Sequence, residues 1–347
     1  MTEWRELTRD ERVAALQQVA GLRHIPPQAV EKDLWVTVIL QVVFSLPFAE
    51  HLVFKGGTSL SKVFGRIERF SEDIDLAIDR TYFGLEGDLT KKQLKKLRKV
   101  SSTFVRDEFS GALKEALQRY GMDGLSVAAE PDGEGDATYP EPRKVYIEYE
   151  SLFKDAIGYI RPRVMLEIGA RSLIEPTMEA TVRSLMEEEF PDVRTAVVNP
   201  LISTAVIEKT FLEKAFLLYE LFTTGAGVHA NRKSRHLYDL ERMMDEPFAA
   251  EAIRNDDLWE AISHHRQVFT SMRDVDYTPD IRRRIVLVPP KDFLKEWEED
   301  YEAMRGTMVF GTSQEFKALI ERLKELEGRF RKGNNGNMDA PYHSVNP

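Results

Sequence analysis

The chain has 347 residues, no cysteine and a formal net charge of −10, and this length is enough for two domains with separate cores. The absence of cysteine excludes disulfides and thiolate metal sites, so any catalytic metal would need oxygen or imidazole ligands. The acidic balance excludes a protein that coats nucleic acid through its overall field, but it leaves room for a local basic groove.

The N-terminal region is predicted to be helical. Residues 10–45 should form two helices that are broken at Pro26-Pro27, and the second has apolar residues at helical spacing. The first residues are polar and do not resemble a signal peptide, and no later segment reaches the roughly 20 apolar residues that span a bilayer. We therefore expect a soluble, cytoplasmic protein that does not bind membranes.

A small mixed sheet is predicted to follow, which makes this region α/β. The expected strands lie at residues 52–54, 76–78, 145–149 and 163–168, with helices at 58–64 and 90–120. Residues 130–142 are rich in proline, glycine and acids and should form a loop.

From about residue 201 the pattern changes to helices. They are predicted at residues 203–224, 234–245, 256–271, 291–304 and 313–330. This change predicts a boundary near Pro200, with an α/β domain at residues 1–200 and a helical domain at 201–332. Residues 333–347 lack apolar periodicity, and we expect a disordered tail there.

The residues after the first predicted strand have the composition of a phosphate-binding turn. Glycine lets the backbone approach a ligand, and a helix that begins at Gly56-Gly57 would offer free N–H groups to a phosphate. The hydroxyls of Thr58 and Ser59 would add donors. The tetrapeptide alone is weak evidence, because many ordinary turns have this composition.

Two carboxylates follow on a predicted strand. Asp73 and Asp75 are two residues apart, so their side chains share one face. Carboxylates held side by side repel each other unless a cation lies between them, and Mg²⁺ prefers oxygen ligands. The glycine-rich turn upstream weakens the alternative, in which one aspartate caps a turn and the other is solvated. The flanking Arg69 and Ser71 fit the same interpretation, with Arg69 near the anionic ligand.

A third carboxylate would complete a two-metal site. Glu167 lies in an apolar predicted strand, where an unpaired carboxylate would be costly to bury. We expect it either to bind metal, which we favour, or to pair with Arg163 or Arg171. Glu148 and Glu150 are the alternative ligands.

Other charged groups give weaker signals. The basic groups are residues 91–99, Arg161 with Arg163, Arg232-Lys233 with Arg235, and residues 282–284. Each is a candidate for a local anion-binding groove, but each is also typical of a solvated helix face. The adjacent His264 and His265 would point in different directions on a helix, and no arrangement of serine, histidine and acid indicates a hydrolase.

Several segments resemble the AbiEii/AbiGii family of nucleotidyltransferase toxins, a group that includes the MenT toxins. The resemblance rests on residues 31–37 (EKDLWVT), 54–62 (FKGGTSLSK) and 69–76 (RFSEDIDL), with further similarity at 210–215 (TFLEKA), 234–240 (SRHLYDL), 300–311 and 316. It covers roughly residues 25–330.

The resemblance implies a fold of the DNA polymerase β nucleotidyltransferase type, with a helical domain that completes the active-site cleft. It implies that Asp73 and Asp75 bind metal and that Lys214 and Asp239 complete the site. The nucleotide would contact Lys55, Gly56, Gly57, Thr58, Ser59, Arg69 and Ser71. An ammonium group can neutralise the charge that leaves with pyrophosphate, although Lys214 is also consistent with an exposed lysine paired with a neighbouring acid. Asp239 follows Arg235 by one helical turn, a pair that stabilises a helix whatever the function.

The resemblance also implies a place in a type IV toxin–antitoxin pair, with a cognate antitoxin as partner. We expect Mg²⁺-dependent transfer from a nucleoside triphosphate to an RNA acceptor, and the resemblance alone favours the 3′ end of tRNA. The alternatives are transfer to a protein or small molecule, and a catalytically silent protein that binds nucleotide and contacts the antitoxin. At Leu221 and His236 the chain departs from the pattern of the phage-defence branch, which has arginine and an acid there, and this indicates a different subgroup.

Overall fold

The computed structural model describes residues 2–71, 73–122, 124–154, 160–195, 198–224 and 228–333. The chain divides into two compact units, with Met1–Thr210 and Glu302–Ser313 in unit 1 and Phe211–Tyr301 and Gln314–Pro347 in unit 2. The predicted boundary near residue 200 stays a prediction. Residues 334–347 of the predicted tail lie outside the described residues.

The helices and strands alternate through the first part of the chain. The strands are β1 (Thr2–Glu3), β2 (Leu52–Lys55), β3 (Asp73–Ile78), β4 (Ser126–Ala129), β5 (Arg143–Glu148), β6 (Arg163–Gly169), β7 (Thr177–Ala180), β8 (Val193–Arg194) and β9 (Ile202–Ala205). The helices are α1 (Arg9–Arg23), α2 (Pro27–Val43), α3 (Gly56–Lys62), α4 (Lys91–Phe104), α5 (Ser110–Arg119), α6 (Leu185–Glu189), α7 (Ile207–Thr223), α8 (Arg235–Met243), α9 (Pro247–Arg254), α10 (Asp256–Phe269), α11 (Leu294–Thr307) and α12 (Phe316–Lys332).

Local sequence signals explain where several helices begin. Thr8 and Glu11 form a capping box at α1, and Thr90 and Gln93 form one at α4. The predicted break at Pro26-Pro27 is confirmed, because α2 starts with proline at its first position, where the missing N–H costs no hydrogen bond. A π-helical turn at Val105–Phe109 joins α4 to α5, so the long basic helix predicted over residues 90–120 is also confirmed.

The sheet of unit 1 is mixed and has seven strands in the order β4-β5-β6-β3-β2-β9-β7. β3 pairs with β6 and β2 with β9 in parallel, and the other pairs are antiparallel. The predicted mixed α/β fold is confirmed, and the sheet is larger than predicted. β9 escapes prediction because its four residues run into the apolar pattern of α7, whose predicted start is residue 203.

The centre of this sheet places polar side chains on one face of β3. Ile74 and Leu76 are buried, whereas Asp73 and Asp75 are partly exposed, so the strand alternates as a half-buried strand should. α2 contributes a nearly continuous buried surface from Val36 to Val43. The site is therefore built on rigid, well-packed elements.

Unit 2 has an aromatic core of its own. The Trp259 ring lies 4.4 Å from that of Phe216 and 5.7 Å from that of Phe330, centre to centre. Beside it, the buried Glu220 forms an ion pair with Arg266. In the described part of the chain, no helix is long and apolar enough to cross a membrane.

Candidate active site

Gly56 joins β2 to α3 and gives room to a carboxylate. Its φ is +78°, in the left-handed region, and a Cβ at this position would clash with the carboxylate of Asp75. Both the backbone and the neighbouring side chain therefore require glycine. Gly56 was predicted to let a phosphate approach the backbone, and in the structure it also makes space for the side chain of Asp75.

The second glycine lies against polar side chains of the segment before β3. A Cβ at Gly57 would lie 2.8 Å from Nη2 of Arg69 and 3.1 Å from Oγ of Ser71. Arg69 is only 2% exposed, and its Nη1 donates to the Phe70 carbonyl at 3.3 Å. The structure thus brings the predicted residues Arg69 and Ser71 to the glycine turn.

The two hydroxyls of the turn serve its own structure. Oγ1 of Thr58 lies 2.9 Å from Oγ of Ser71 and donates to the Asp73 carbonyl. Ser59 is fully buried, and its hydroxyl donates to the Gly56 carbonyl at 2.8 Å. These bonds fix α3 against the start of β3. Contact of Thr58 and Ser59 with a phosphate stays a prediction.

Four charged residues form a row across one face of the sheet. Lys55 on β2 lies opposite Asp75 on β3, Asp75 lies beside Glu167 on β6, and Glu167 lies opposite Lys144 on β5. Residues at paired positions of neighbouring strands share a face, so two carboxylates lie side by side in this row with a lysine at each end. The two inner carboxylates face the same side of the sheet as Asp73.

Glu167 has a lysine as its partner. Nζ of Lys144 lies 3.4 Å from Oε1 of Glu167, whereas the sequence indicated Arg163 or Arg171 as the alternative to metal. Burial of Lys144 is the largest single influence and works to lower its pKa, but the charge and hydrogen bond of Glu167, together with the nearby Tyr146 and Glu130, outweigh burial, and the pKa of Lys144 is raised. Metal binding by Glu167 stays a prediction that requires the loss of this ion pair.

This face of the sheet offers two carboxylates to a divalent cation, which is fewer than a metal site made of protein ligands alone would need. Asp73 and Asp75 are hard oxygen donors on one strand, and no ion pair to Asp75 is present among the residues that the structure describes. Within the same residues, no group of three or more histidine, aspartate and glutamate side chains is close enough to hold a metal ion. Mg²⁺ commonly binds through one or two carboxylates together with substrate phosphates, and this pair suits that arrangement.

Lys214 and Asp239 come together in unit 2. Nζ of Lys214 lies 2.8 Å from Oδ2 of Asp239, and the two residues are 7% and 0% exposed. Lys214 is therefore not an exposed helix lysine, and α7 and α8 are joined by a buried ion pair. Such a pair is compensated only while both partners are present.

The charged triplet Glu31-Lys32-Asp33 lies in the otherwise apolar helix α2 and makes contacts that the sequence did not reveal. Glu31 is 3% exposed and accepts hydrogen bonds from the Ser151 hydroxyl at 2.6 Å and the Leu152 N–H at 2.7 Å. Burial raises the pKa of Glu31, although these hydrogen bonds work to lower it. The position of three charged residues in an otherwise apolar helix is the sequence signal that could have indicated these contacts.

The next two residues of this triplet reach the site segments directly. The buried ammonium of Lys32 lies 5.9 Å from the centre of the Phe70 ring, in the segment between Arg69 and Ser71. Asp33 forms an ion pair with Lys62 at the end of α3. The triplet therefore supports both the glycine-turn helix and the segment before β3.

Residues 308–311, which are distant in sequence, form hydrogen bonds with the segment of residues 68–70. The Phe70 N–H donates to the Met308 carbonyl at 2.7 Å, and the Phe310 N–H donates to the Glu68 carbonyl at 3.0 Å. Arg69 and Val309 form the bridge between them. Both segments of this bridge belong to unit 1.

Comparison with known proteins identifies a matching family. The profile of a family described as "Nucleotidyl transferase AbiEii toxin, Type IV TA system" matches residues 39–322. No curated protein matches the sequence. Among solved structures, the chain is similar to the nucleotidyltransferase toxin MenT4 from Mycobacterium tuberculosis H37Rv, with 16% identity, 93% of this chain and 98% of that chain covered, and a TM-score of 0.43.

Proposed function

The chain belongs to the AbiEii family of nucleotidyl transferase toxins of type IV toxin–antitoxin systems, and from this premise we propose that it transfers a nucleotide to the 3′ end of tRNA. The family makes the chain a transferase, and the acceptor RNA and the dependence on Mg²⁺ belong to the proposal. The observation that carries it is the placement of Asp73 and Asp75 on one face of β3 against the Gly56 turn.

The proposed metal ligands are Asp73 and Asp75, with Glu167 as a third ligand if it leaves Lys144. When bound, Mg²⁺ would neutralise phosphate charge and favour the ionised form of the attacking hydroxyl. Asp73 and Asp75 would orient the triphosphate through that ion. The carboxylate of Asp75 lies in the space that the missing side chain of Gly56 leaves.

The cations beside the carboxylates would bind the triphosphate. Lys55 shares a face of the sheet with Asp75, and Arg69 lies at Gly57. In the transfer, the acceptor hydroxyl attacks the α-phosphorus, a new P–O bond forms, and the bond to pyrophosphate breaks. Lys55 and Arg69 would stabilise the negative charge that moves onto the leaving group. Lys214, oriented by Asp239, is proposed for the same purpose.

The experiment is transfer of label from each α-³²P nucleoside triphosphate to total bacterial RNA with Mg²⁺. We expect one nucleotide to label RNA of tRNA size, and no label from the γ-³²P form, because the γ-phosphate leaves in pyrophosphate. Asp75→Asn should abolish labelling, and the exposed Asp192→Asn serves as the matched control. Labelled protein with unlabelled RNA would overturn the RNA acceptor but keep the chemistry.

The toxin part of the proposal has its own test. Expression without a partner should slow bacterial growth, and Asp75→Asn should relieve the effect, because toxicity would then require transfer. Equal toxicity of Asp75→Asn and the wild type would favour a protein that acts by contact. A cognate antitoxin would be sought as the product of a neighbouring reading frame that restores growth.

A further inference from the structure

Helix α4 carries five lysines on one exposed face. They are Lys91, Lys92, Lys95, Lys96 and Lys99, and α4 contains no acidic residue. At about 100° per residue these positions cover roughly 140° of the helix circumference, opposite the buried Leu97 and Phe104. We call this surface the lysine face.

The lysine face is not neutralised by the protein. Within the described ranges, none of its five lysines forms an ion pair, whereas some exposed lysines elsewhere do, such as Lys324 with Glu321. Its one neighbour of note is Tyr139, whose partly exposed ring lies 5.7 Å from Nζ of Lys99. A protein with a net charge of −10 thus concentrates uncompensated positive charge on one helix.

Helix stability does not explain these lysines. Lys91 and Lys92 lie in the first turn, where positive charge opposes the helix dipole. Lys91, Lys95 and Lys99 are spaced four apart, and like charges at this spacing destabilise a helix. The uncharged capping box of Thr90 and Gln93 is what fixes the start of α4. The five exposed charges are therefore available to a ligand outside the chain.

The lysine face is anchored to a strand of the candidate site. The Arg98 guanidinium donates to the Tyr139 carbonyl at 2.5 Å, and Ser101 donates to Glu141 at 2.6 Å. The buried Arg143, which begins β5, donates to Ser102 at 2.8 Å. The next residue of β5, Lys144, is the partner of Glu167, and it points to the opposite face of the sheet from Arg143. Helix α4 and the charged row are therefore attached to the same strand of unit 1 from opposite faces of the sheet, and an RNA bound at both would have to pass around the edge of the sheet.

We propose that the lysine face binds the phosphate backbone of the acceptor RNA, an inference that rests on the proposed transfer to RNA. Exposed ammonium groups act as point charges that bind phosphates without reading sequence. The Tyr139 ring adds a surface on which a base can stack. A protein partner fits less well, because protein interfaces have an apolar core and are depleted in lysine, and none of the large exposed apolar residues lies on α4.

The test replaces all five lysines of the lysine face with glutamine. Deacylated bulk tRNA is the probe, and its Kd is measured against salt concentration. We expect the Kd at 0.1 M salt to rise at least about tenfold, and the slope of log Kd against log salt to fall by about 0.7 to 0.9 for each phosphate that the variant no longer neutralises. The KM for the nucleoside triphosphate should be unchanged. The Tm should be equal or higher, because like charges have been removed from the helix.

A second five-site variant controls for overall charge. It replaces Lys114, Lys291, Lys295, Lys317 and Lys324, which are exposed lysines outside α4, with glutamine. Its net charge is the same, so it should bind tRNA with less than about twofold change if the lysine face is specific. Equal weakening of tRNA binding by the two variants would overturn the proposal.

Two further outcomes separate this inference from the proposed function. If the wild type binds tRNA through the lysine face but labels no RNA, transfer to RNA is wrong and the inference stands as a binding site. If the wild type labels tRNA and the α4 variant does so with unchanged Kd and KM for tRNA, transfer stands and the inference is wrong. Unchanged tRNA binding with loss of antitoxin binding would also overturn it, in favour of an acidic protein partner.

Discussion

The two units compensate their charges in opposite ways. In unit 1, Asp73 and Asp75 have the same charge, lie on one face of β3 and remain partly exposed. In unit 2, Lys214 and Asp239 have opposite charges and are almost fully buried. We propose that the first arrangement binds a cation from outside the chain, whereas the second pairs opposite charges within the protein. Substitutions should therefore affect activity first in unit 1 and stability first in unit 2.

The largest effect is expected for Asp75→Asn and Asp73→Asn, which test the first half of this comparison. Each removes a negative charge at nearly constant volume, and transfer should fall at least about a thousandfold. The Tm of Asp75→Asn should be unchanged or shifted upward, because the repulsion between the carboxylates is reduced. Turnover and Tm are measured beside Asp192→Asn. Wild-type turnover in Asp75→Asn would remove the metal interpretation.

The second prediction concerns Lys214→Ala, which removes the ammonium that pairs with the buried carboxylate of Asp239. Unfolding free energy should fall by about 3–5 kcal/mol, and the double variant Lys214→Met with Asp239→Leu should recover most of it. Both values come from urea denaturation.

The activity of that double variant sharpens the comparison. If Lys214 contacts the triphosphate, the stable double variant should lose one to two orders of magnitude in transfer, since a charge-assisted contact is worth about 1.5–3 kcal/mol. Wild-type transfer by the stable double variant would show that the pair is purely structural.

A third, smaller effect is expected for Gly56→Ala. The left-handed backbone alone costs about 1–2 kcal/mol in a residue with a Cβ, and the clash with Asp75 adds to this and displaces the carboxylate. Gly65→Ala is the matched control, because Gly65 has a φ of +61° and open space around it. Both variants should lose stability, but only Gly56→Ala should also lose transfer. Equal turnover in the two variants would contradict the placement of Asp75.

The smallest effect is expected for Lys144→Gln. The folded-state pKa of Lys144 is raised above its unfolded value. The contribution of the Lys144 charge to the free energy of unfolding is therefore complete below the unfolded pKa of about 10.4, and it is lost as pH rises through the folded-state pKa. Because the pair is partly exposed, the stability difference between wild type and variant should be at most about 0.5 kcal/mol at pH 7. The difference should vanish once the pH exceeds the folded-state pKa of Lys144. A stability difference that persists at that pH would show that Lys144 acts through packing and not through its charge. Lys114→Gln, at an exposed lysine outside the charged row, is the control.

The sequence predicted those parts of unit 1 that depend on local pattern. Asp73 and Asp75 were predicted to share one face of a strand that continues to Ile78, and the structure has β3 there. Glycine after a short apolar run indicated the β2–α3 turn, and prolines marked the break between α1 and α2. In each case the signal and its structural consequence lie within a few residues.

The remaining contacts depend on residues far apart in the chain. The partner of Glu167 is decided by the register of β5 on β6, which places Lys144 opposite it, and no local pattern distinguishes this lysine from nearby arginines. The burial of Lys214 likewise follows from the packing of α7 on α8 through Asp239. The family resemblance selected Lys214 and Asp239, but their pairing became visible only in the structure.

The bridge between Arg69 and Val309 has a consequence for the order in which the protein is made. The carboxylates, the glycine turn and all strands of the sheet lie before residue 206, yet the segment that holds Arg69 is braced by residues 308–311. A nascent chain that has left the ribosome only as far as Tyr301 lacks this support. The Arg69 segment is therefore completed only after the intervening helices have been translated.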